Sequence, residues 1–552
     1  MQTLTPRSNQ ARFRLSLLCS STRISRYEQT LFERLAQDGS AQLHRAIVMP
    51  AVSTGRQSFW RIAPRLVNHI VQFAEWQFLK LLPARFSGLG WRGRSVMPGS
   101  TDVVTVFNTV SRLDTSLSSG AVQTPAPGTA EVVVCTEPAL YKTARSSIPE
   151  AHWIVIDGLG DRSSQTTAGF SAVFSGRDTT DFRILIWRAG QPLPHRVIEG
   201  KNRTKLLYLL NQAALWDRIT SCLLTTLAGV LPKLEKDQPQ PNTAASSLQA
   251  TWQDKIEPAG CLQLIAYGFV TARRLARVLT RQLTGKRLWS IVVASGDPLR
   301  DVMQNPTRIF APPGYFYADP MLLGPINGKL YCFVEEFDNA LGKAAIAVLE
   351  QQNDDSWQRL GIAVTESFHL SFPYLFEYNG HLYMCPESYL SNRITVYECV
   401  DFPLKWRQAS VIMDDVSAAD SVLFESDNKW WLLTNIDRAT SPDHQSELHV
   451  FYADTPLSNN WTPLPENPVK IDPIGGRNGG FFKVGSELFR CGQCQSIEAY
   501  GEGLNLYRIT QLDPMHYAEV EVSSMKVPAS IGGSGTHTLT RTGIHYAIDI
   551  LG

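Results

Sequence analysis

The chain has 552 residues, too many for one hydrophobic core, and its 43% hydrophobic and 19% charged residues are typical of a globular protein. That composition excludes a disordered chain, and no uninterrupted apolar run reaches the roughly 18 residues that a membrane span needs. The formal net charge of +1 conceals two opposite halves: residues 289–552 carry 32 acidic and 17 basic side chains, a net of −15, whereas residues 1–288 carry +16. The division predicts domains with different partners and disfavours an anionic partner for the acidic half.

The first region, residues 11–215, alternates strand-like and helix-like segments. A short apolar strand at 13–19 precedes a helical pattern at 27–36. Four further apolar runs follow, at Val103 to Phe107, Glu131 to Cys135, His152 to Ile156 and Phe182 to Trp187. Short apolar runs separated by helices predict an α/β domain of Rossmann type with a mainly parallel sheet.

Residues 216–285 read as a helical and linker region. A helical pattern over 205–231 leads into a polar, proline-bearing linker over 232–247, and a second helix is predicted over 260–283. That helix has no acidic residue, and its arginines are Arg273, Arg274, Arg277 and Arg281, beside Leu262, Ile265, Phe269 and Leu275. Residues 62–94 repeat this basic, aromatic-rich pattern. Two interpretations stay open: solvated basic faces that cover an apolar core, or binding to an anionic membrane surface. Nucleic acid is not predicted as a partner, because no recognition motif accompanies the charge.

The cysteines indicate the compartment. Nine cysteines, an odd number, lie mostly inside apolar patterns, which favours buried thiols in a reducing compartment. Cys491 and Cys494 have a C-x-x-C spacing, but no second pair or histidine cluster completes a zinc site, so no metal and no cofactor is predicted. The apolar run after Arg14 is too short for a secretory signal. We expect a cytoplasmic protein, with peripheral association with the inner membrane through the basic helices as the alternative.

The C-terminal region, residues 286–552, contains a five-fold repeat. Each copy has an apolar strand, a turn of the Asn-Gly kind and a second strand that begins with an aromatic residue, which is a β-hairpin pattern. The turns lie at positions 328, 380, 428, 485 and 543, spaced by 52, 48, 57 and 58 residues. One hairpin per repeat of about fifty residues is typical of a propeller blade, so the sequence predicts an all-β five-bladed β-propeller.

Polar residues recur at matching positions, six to nine residues before each of the five turns. Because the first strand of each blade lines the central channel, these residues are predicted to form a ring around the axis. The predicted ring holds Asp319, Ser371, Asp420, Asn478 with its neighbour Arg477, and His537 with its neighbour Thr536. Glu335, Glu336 and Glu387 follow the second strands of the first two blades. The alternative is that such residues cap strands or bond to backbone in adjacent blades.

Several motifs of the propeller resemble one family. They are Trp289-Ser-Ile, Tyr317-Ala-Asp-Pro, Glu335-Glu-Phe, Leu370-Ser-Phe-Pro373, Pro386-Glu-Ser, Trp430-Trp, Leu448-His-Val-Phe-Tyr-Ala-Asp454 and Gly535-Thr-His-Thr. Together they resemble the N-terminal domain of glucosamine inositolphosphorylceramide transferases. The resemblance implies a role in the assembly of surface glycans or glycolipids, with a sugar, nucleotide-sugar or glycolipid as substrate.

The propeller also resembles, more distantly, five-bladed inverting glycosidases, which use an Asp base, a second Asp that tunes the acid, and a Glu acid. Asp319 and Asp420 match the two Asp positions, but the fourth blade offers Arg477 where the acid is expected. The resemblance therefore implies that Glu387, or Glu335, supplies the acid. We predict Asp319, Asp420 and Glu387 as catalytic residues. The predicted substrate-binding residues are Glu335, Ser371, Arg477, Asn478, Thr536 and His537.

The N-terminal region resembles formyltransferase domains of the methionyl-tRNA type. The resemblance is carried by residues 13–19 with the following helix and by the segment 169–182. The Asn-x-His of that family is absent from the corresponding strand end, where 152–158 is the nearest segment, and Asp157 and Asp161 are the candidate remnants. A degenerate, structural domain is therefore expected.

Three functions follow from these patterns. The leading prediction is a carbohydrate-active protein of surface-glycan or glycolipid assembly that binds, and transfers or hydrolyses, a sugar in the axial pocket. The first alternative is a non-catalytic propeller that recognises glycans or serves as a scaffold. The second is a formyl- or acyltransferase that acts through the N-terminal domain.

Overall fold

The computed structural model describes residues 13–19, 23–24, 26–37, 41–48, 75, 111–112, 130–157, 169–234, 261–283, 288–300, 302–353, 355–438, 444–496 and 500–552. They form two compact units, the first ending at Thr280 and the second beginning at Arg281. The three-part division into 11–215, 216–285 and 286–552 stays a prediction.

The first unit contains a six-stranded mixed sheet. Its strands are β1 (Phe13–Cys19), β3 (Ala41–Val48), β5 (Ala130–Cys135), β6 (His152–Asp157), β7 (Thr179–Trp187) and β8 (Arg196–Arg203), and a separate ribbon pairs β2 (Arg23–Ile24) with β4 (Ser111–Arg112). In the order β3-β1-β5-β6-β7-β8, the first four strands are parallel, and β7 and β8 continue antiparallel. Val132 to Cys135 of β5 are fully buried, as an apolar central strand of a parallel sheet requires.

Five helices of the first unit are described: α1 (Arg26–Gln37), α2 (Pro138–Ala144), α3 (Phe170–Ser175), α4 (Tyr208–Leu234) and α5 (Cys261–Leu283). No helix among the described residues is long and apolar enough to cross a bilayer. The strand expected at 103–107, the basic stretch at 62–94 (apart from Glu75) and Asp161 lie outside the described residues. Asp157 is buried and paired with Arg183. The formyltransferase-like character of residues 11–215 stays a prediction.

The second unit consists of five antiparallel sheets, which confirms the predicted five-bladed propeller. The first blade comprises β11 (Tyr315–Ile326), β12 (Lys329–Asp338), β13 (Lys343–Gln351) and β14 (Trp357–Val364); the second comprises β15 (Ser371–Tyr378), β16 (His381–Glu387), β17 (Arg393–Asp401) and β18 (Lys405–Asp414). The third comprises β19 (Ala418–Ser426), β20 (Lys429–Ile436), β21 (Glu447–Ala453) and β22 (Thr462–Pro463), with β23 (Lys470–Ile471) also on β21. The fourth comprises β24 (Ile474–Val484), β25 (Glu487–Cys494), β26 (Gly503–Leu512) and β27 (Tyr517–Met525).

The fifth blade closes the ring from both ends of the unit. The strands β28 (Leu539–Thr542) and β29 (His545–Leu551) come from the C-terminal end, and β9 (Trp289–Asp297) and β10 (Val302–Ile309) come from the start. Strand β29 pairs antiparallel with β9, from His545 opposite Ser295 to Leu551 opposite Trp289. This pairing fixes the first and last strands to each other by backbone hydrogen bonds, so neither is left as an open edge.

The first strands of the blades surround the axis. Strand β11 contacts β15, β15 contacts β19, β19 contacts β24, β24 contacts β28, and β28 contacts β11 again. At Gly480 of β24 the fit is tight, because a Cβ there would lie 1.9 Å from the carbonyl oxygen of Leu539 in β28. The apolar faces of neighbouring blades pack together, as where Phe424 stacks on Phe481 with ring centroids 4.2 Å apart.

The predicted turns have the backbone that their residues indicated. Asn327 and Gly328 have φ of 51° and 80°, Asn379 and Gly380 have 50° and 77°, and Asp427 and Asn428 have 52° and 58°. Two consecutive left-handed residues define the type I′ hairpin turn, which Asn, Asp and Gly tolerate. The turn chemistry therefore sets the register of the inner hairpin in the first three blades.

Candidate functional site

Three of the five first strands carry a bulge at the same place. Pairing with the second strand skips between residues 318 and 321 in β11, 371 and 374 in β15, and 419 and 422 in β19. Within these bulges Asp319, Phe372 and Asp420 have φ of 49°, 43° and 46°. A left-handed backbone is uncommon outside glycine, and bulges redirect side chains, so three blades share one constrained position on the axial strand.

The structure corrects the predicted place of Ser371. The position equivalent to Asp319 and Asp420 is Phe372, and Ser371 corresponds to Ala318 and Ala419 one residue earlier. The error has a physical reason: β11 contains a further irregularity between residues 323 and 326, which adds a residue between Asp319 and its turn. Counting back from the turns therefore aligned Asp319 with Ser371.

The second strands place polar side chains opposite these bulges. Glu335 pairs with Ala318, Glu387 with Ser371, and Asn435 with Ala419, so the three occupy one register position in successive blades. All three are buried, at 8%, 5% and 0% exposure. The first two blades thus offer a glutamate where the third offers an amide.

Asp319 is held by donors from two neighbouring blades. Its carboxylate accepts hydrogen bonds from the Thr538 hydroxyl at 2.5 Å and from the Phe372 backbone N–H at 3.2 Å, and it lies 3.1 Å from Nε2 of His537. Burial alone would raise its pKa, but the charge of His537 and the hydrogen bonds hold the pKa of Asp319 well below its usual range. The ionised carboxylate is therefore the stable form of Asp319.

His537 lies between two aspartates. Its Nδ1 is 2.9 Å from the Asp549 carboxylate, which also accepts the backbone N–H groups of His537 and Thr538 at 2.8 and 3.1 Å. Burial would lower the pKa of His537, but Asp549, Tyr500 and Asp319 raise it well above its usual value. One ligand atom of each of Asp319, His537 and Asp549 lies within 4.8 Å of the other two, a spacing at which the three side chains could also hold a metal ion.

Arg477 joins the second, third and fourth blades. Its Nε and Nη2 donate to the two carboxylate oxygens of Asp420 at 2.6 and 3.2 Å, and Nη2 also donates to Glu387 at 3.0 Å. Gln493 donates a further bond to Asp420 at 2.8 Å. Both oxygens of Asp420 are therefore engaged in a bidentate ion pair, the stronger kind of charge-assisted hydrogen bond.

The two glutamates have strongly raised pKa values. For Glu335 the cause is burial, followed by the charge of Asp319; for Glu387 it is burial, followed by the charge of Asp420, which outweighs the attraction of Arg477. His369, 3.6 Å from Glu335, does not offset this, because burial lowers its own pKa. Both glutamates therefore favour the protonated acid, and the pKa of Asp319, whose charge acts on Glu335, is lowered instead.

Two predicted binding residues serve blade packing. The Asn478 side chain donates to the backbone carbonyls of Asp420 and Leu433 at 2.8 and 3.1 Å, and the backbone N–H of Asn478 donates to the side-chain oxygen of Asn435. Thr536 is fully buried and donates to Asp549 at 3.3 Å. Both side chains hold the frame around the charged groups, and their predicted contact with substrate stays a prediction.

Two aromatic residues that were not predicted as site residues, Trp289 and Tyr500, lie beside the charged groups. The rings of Trp289 and Tyr500 have centroids 4.3 and 5.3 Å from that of His537, and the Arg477 guanidinium lies 5.9 Å from the Tyr500 ring. Burial raises the pKa of Tyr500 to about 12. Trp289 could have been found only from the closure of the fifth blade, since it lies some 250 residues before His537 in the chain.

An axial cavity adjoins Asp319. Its volume is about 210 Å³, including the space at its opening. It is lined by residues of four first strands, β11, β15, β24 and β28, and by the residue just before β28, namely Asp319, Pro320, Met321, Phe372, Pro373, Tyr374, Gly480, Thr538, Leu539 and Thr540. Asp319 therefore borders the cavity and also lies beside His537 and Glu335.

The comparisons with known proteins agree with the propeller motifs. Residues 305–542 match the family described as glucosamine inositolphosphorylceramide transferase 1, N-terminal. The protein of that name from Arabidopsis thaliana is 34% identical over 215 residues, covering 38% of this chain and 28% of the relative; its counterpart from Oryza sativa subsp. japonica is 33% identical over 217 residues, with the same shares. The chain thus spans about a quarter of the length of these curated relatives.

Several glycosidases are among the solved structures that show a lower similarity to this chain. The family 117 glycoside hydrolase Zg3597 of Zobellia galactanivorans is 12% identical, covering 44% of this chain and 76% of the other, with a TM-score of 0.31. An exo-1,5-α-L-arabinanase from a bovine ruminal metagenomic library is 11% identical, covering 43% and 94%, with a TM-score of 0.32. The family match and the curated relatives thus show that residues 305–542 are similar to the N-terminal domain of glucosamine inositolphosphorylceramide transferase 1, as the propeller motifs predicted.

Proposed function

We propose that the propeller binds a sugar unit of a glycan or glycolipid at its axial site and transfers or cleaves the glycosidic bond by acid–base catalysis. The supporting observation is a contrast between neighbouring carboxyl groups. The pKa values of Glu335 and Glu387 are raised, whereas the pKa of Asp319, which lies beside them, is lowered. Carboxyl groups whose environments separate their pKa values are the usual acid and base of glycosidic chemistry.

The roles follow from protonation state and available contacts. Glu387, or Glu335, donates its proton to the leaving glycosidic oxygen as the bond from the anomeric carbon breaks. Asp319 accepts the proton of the attacking hydroxyl, from water in hydrolysis or from an acceptor in transfer, as the new bond forms on the opposite face. Asp420 has both oxygens on Arg477 and is assigned here to positioning Arg477, not to catalysis.

The substrate class is suggested by the relatives. The matched relatives are named for glucosamine and inositolphosphorylceramide. The first sugar to test is therefore one that carries a free amino group.

A recognition module is the second candidate, and one observation favours it. Asp319 already has the Thr538 hydroxyl, the Phe372 N–H and His537 around its two oxygens, so part of its hydrogen-bonding capacity is used within the fold. A base must exchange one of these contacts when substrate arrives, whereas a binding site needs no such exchange.

The two candidates separate in one experiment. Purified full-length protein is assayed with aryl glycosides and with nucleotide sugars plus lipid or sugar acceptors, including amino and N-acetylated sugars. Asp319→Asn keeps the shape and removes the charge, so we expect turnover to fall roughly 100-fold or more while sugar binding persists. Asp454→Asn, with a side chain 91% exposed, is the matched control. Equal turnover in wild type and Asp319→Asn would contradict catalysis, and sugar binding without turnover by the wild type would favour recognition.

A further inference from the structure

Helix α5 is fixed to the first unit by one face. Leu264, Tyr267, Thr271 and Arg274 are spaced by three and four residues and are all buried. Leu264 and Tyr267 pack with Phe170, Val173 and Tyr208, and the Tyr267 hydroxyl accepts the Tyr208 N–H at 2.9 Å. The Arg274 guanidinium donates to the backbone carbonyls of Val173 and Phe174 at the end of α3. Arg274 thus belongs to the docked face, not to the solvated basic face predicted from the sequence.

The opposite face of α5 is apolar and exposed. Leu262, Ile265 and Phe269 are 82%, 55% and 75% exposed. Their spacing of three and four residues places them one above another on the same side of the helix. One of the two interpretations of the sequence placed these residues on the core side of α5, but the structure buries the other side of the helix. Contiguous exposed apolar side chains on one face indicate a surface that meets a partner.

The charge on the exposed face indicates what kind of partner. Arg273 and Arg277 are exposed and follow Phe269 by about one and two turns of the helix. The helix has no Asp or Glu, and residues 1–288 carry a net charge of +16. An apolar stripe with arginines along it fits a surface that is apolar below and anionic above, since arginine can keep its charge at the headgroups while its stem lies on apolar surface.

We propose that α5 binds the surface of an anionic membrane, lying parallel to it with Leu262, Ile265 and Phe269 in the outer acyl layer and Arg273 and Arg277 at the headgroups. The inference is independent of the chemistry proposed for the propeller. An acidic groove of another protein would have to match both the apolar stripe and the arginines, whereas an anionic bilayer offers both without further specificity.

Vesicle flotation of the full-length protein tests the proposal. The probes are vesicles of phosphatidylcholine alone and of phosphatidylcholine with phosphatidylserine, at low and high salt. We expect binding to the anionic vesicles only, weakened by salt. Arg273→Gln with Arg277→Gln should weaken it roughly twenty-five-fold, because each arginine near an anionic surface contributes about five-fold. Leu262→Gln, Ile265→Gln and Phe269→Gln together should reduce it to background.

The control variant changes equally exposed apolar residues on the propeller. Leu341, Leu390 and Ile544 are 70%, 55% and 66% exposed, and their replacement by Gln should leave flotation unchanged. Equal recovery with neutral and anionic vesicles would overturn the proposal, as would wild-type binding by the triple α5 variant. A dimer that the triple α5 variant abolishes, in a protein that does not float, would show that the face meets a second copy of the chain and would also overturn it. Unchanged circular dichroism of each variant excludes unfolding as the cause of a loss.

Discussion

Replacing Glu387 with glutamine should make the propeller less sensitive to rising pH. In the folded protein, burial and the charge of Asp420 raise the pKa of Glu387 well above its ordinary value of 4.5, so the folded state keeps a proton that the unfolded chain releases. A group with a raised folded-state pKa stabilises the fold fully below its unfolded pKa, and this contribution is lost as pH rises through the folded pKa. Over that window the free energy of unfolding falls by up to about 1.4 kcal/mol per pH unit for each such group.

Glutamine suits the test because it has nearly the shape of the protonated acid and no proton to lose. The side chain at position 387 is 5% exposed, so solvent does not screen the effect appreciably. His537, Glu335 and other groups titrate in both proteins, and their contributions largely cancel in the difference between wild type and Glu387→Gln. That difference should grow with pH above about 4.5 in favour of the variant, with the slope given above.

The assay is urea unfolding followed by tryptophan fluorescence, at a series of pH values from about 5 to about 8. The control is Glu377→Gln, which removes a carboxyl group from an exposed position in the same blade. Its stability profile should run parallel to that of the wild type. If the Glu387→Gln profile also runs parallel, Glu387 is ionised in the folded protein, and its role as the acid is refuted along with the pKa contrast on which the proposed chemistry depends.

Two further predictions concern the packing around the site. Gly480→Ala should destabilise the propeller by several kcal/mol, because the added Cβ would lie 1.9 Å from the Leu539 carbonyl oxygen and the glycine has φ of 135°. The control Gly380→Asn, at an open turn, should change the urea midpoint little. Equal midpoints for the two variants would contradict the close approach of the fourth and fifth blades. Arg490→Met should lower the free energy of unfolding by about 3 kcal/mol, since Arg490 is fully buried and hydrogen-bonded to Glu519 and to the Gly475 carbonyl. A urea midpoint near that of the wild type would contradict a structural role for the Arg490–Glu519 ion pair.

The propeller could be predicted because its turns are local. Left-handed residues in a two-residue turn demand Asn, Asp or Gly, so the backbone requirement is visible in the sequence at each repeat. Burial of the hairpins between neighbouring blades then explains the apolar strands on either side. The period of the turns, close to the length of one four-stranded blade, was sufficient to give the number of blades.

The register of the axial residues was harder to predict than the number of blades, because bulges insert residues without a clear sequence signal. Asp319 lies nine residues before Gly328, whereas Phe372 and Asp420 lie eight before Gly380 and Asn428. The difference is the irregularity at 323–326 in β11, where Gly324 and Pro325 interrupt the pairing. A turn-based alignment therefore placed Ser371 in the ring one residue away from the position that the backbone selects.

The roles within the site depend on neighbours that are distant in the chain. Asp319 and Asp420 have the same side chain, the same left-handed backbone and the same bulge, so the sequence motif treats them alike. The structure separates them, because Asp420 meets a bidentate arginine from the fourth blade while Asp319 meets a hydroxyl and an imidazole from the segment before β28. The groups that decide this, Arg477 and His537, lie 57 and 218 residues further along the chain. A motif can thus identify both carboxylates, but only the closed ring shows that Asp420 is paired with Arg477, and for this reason the proposed function gives proton exchange to Asp319, Glu335 and Glu387.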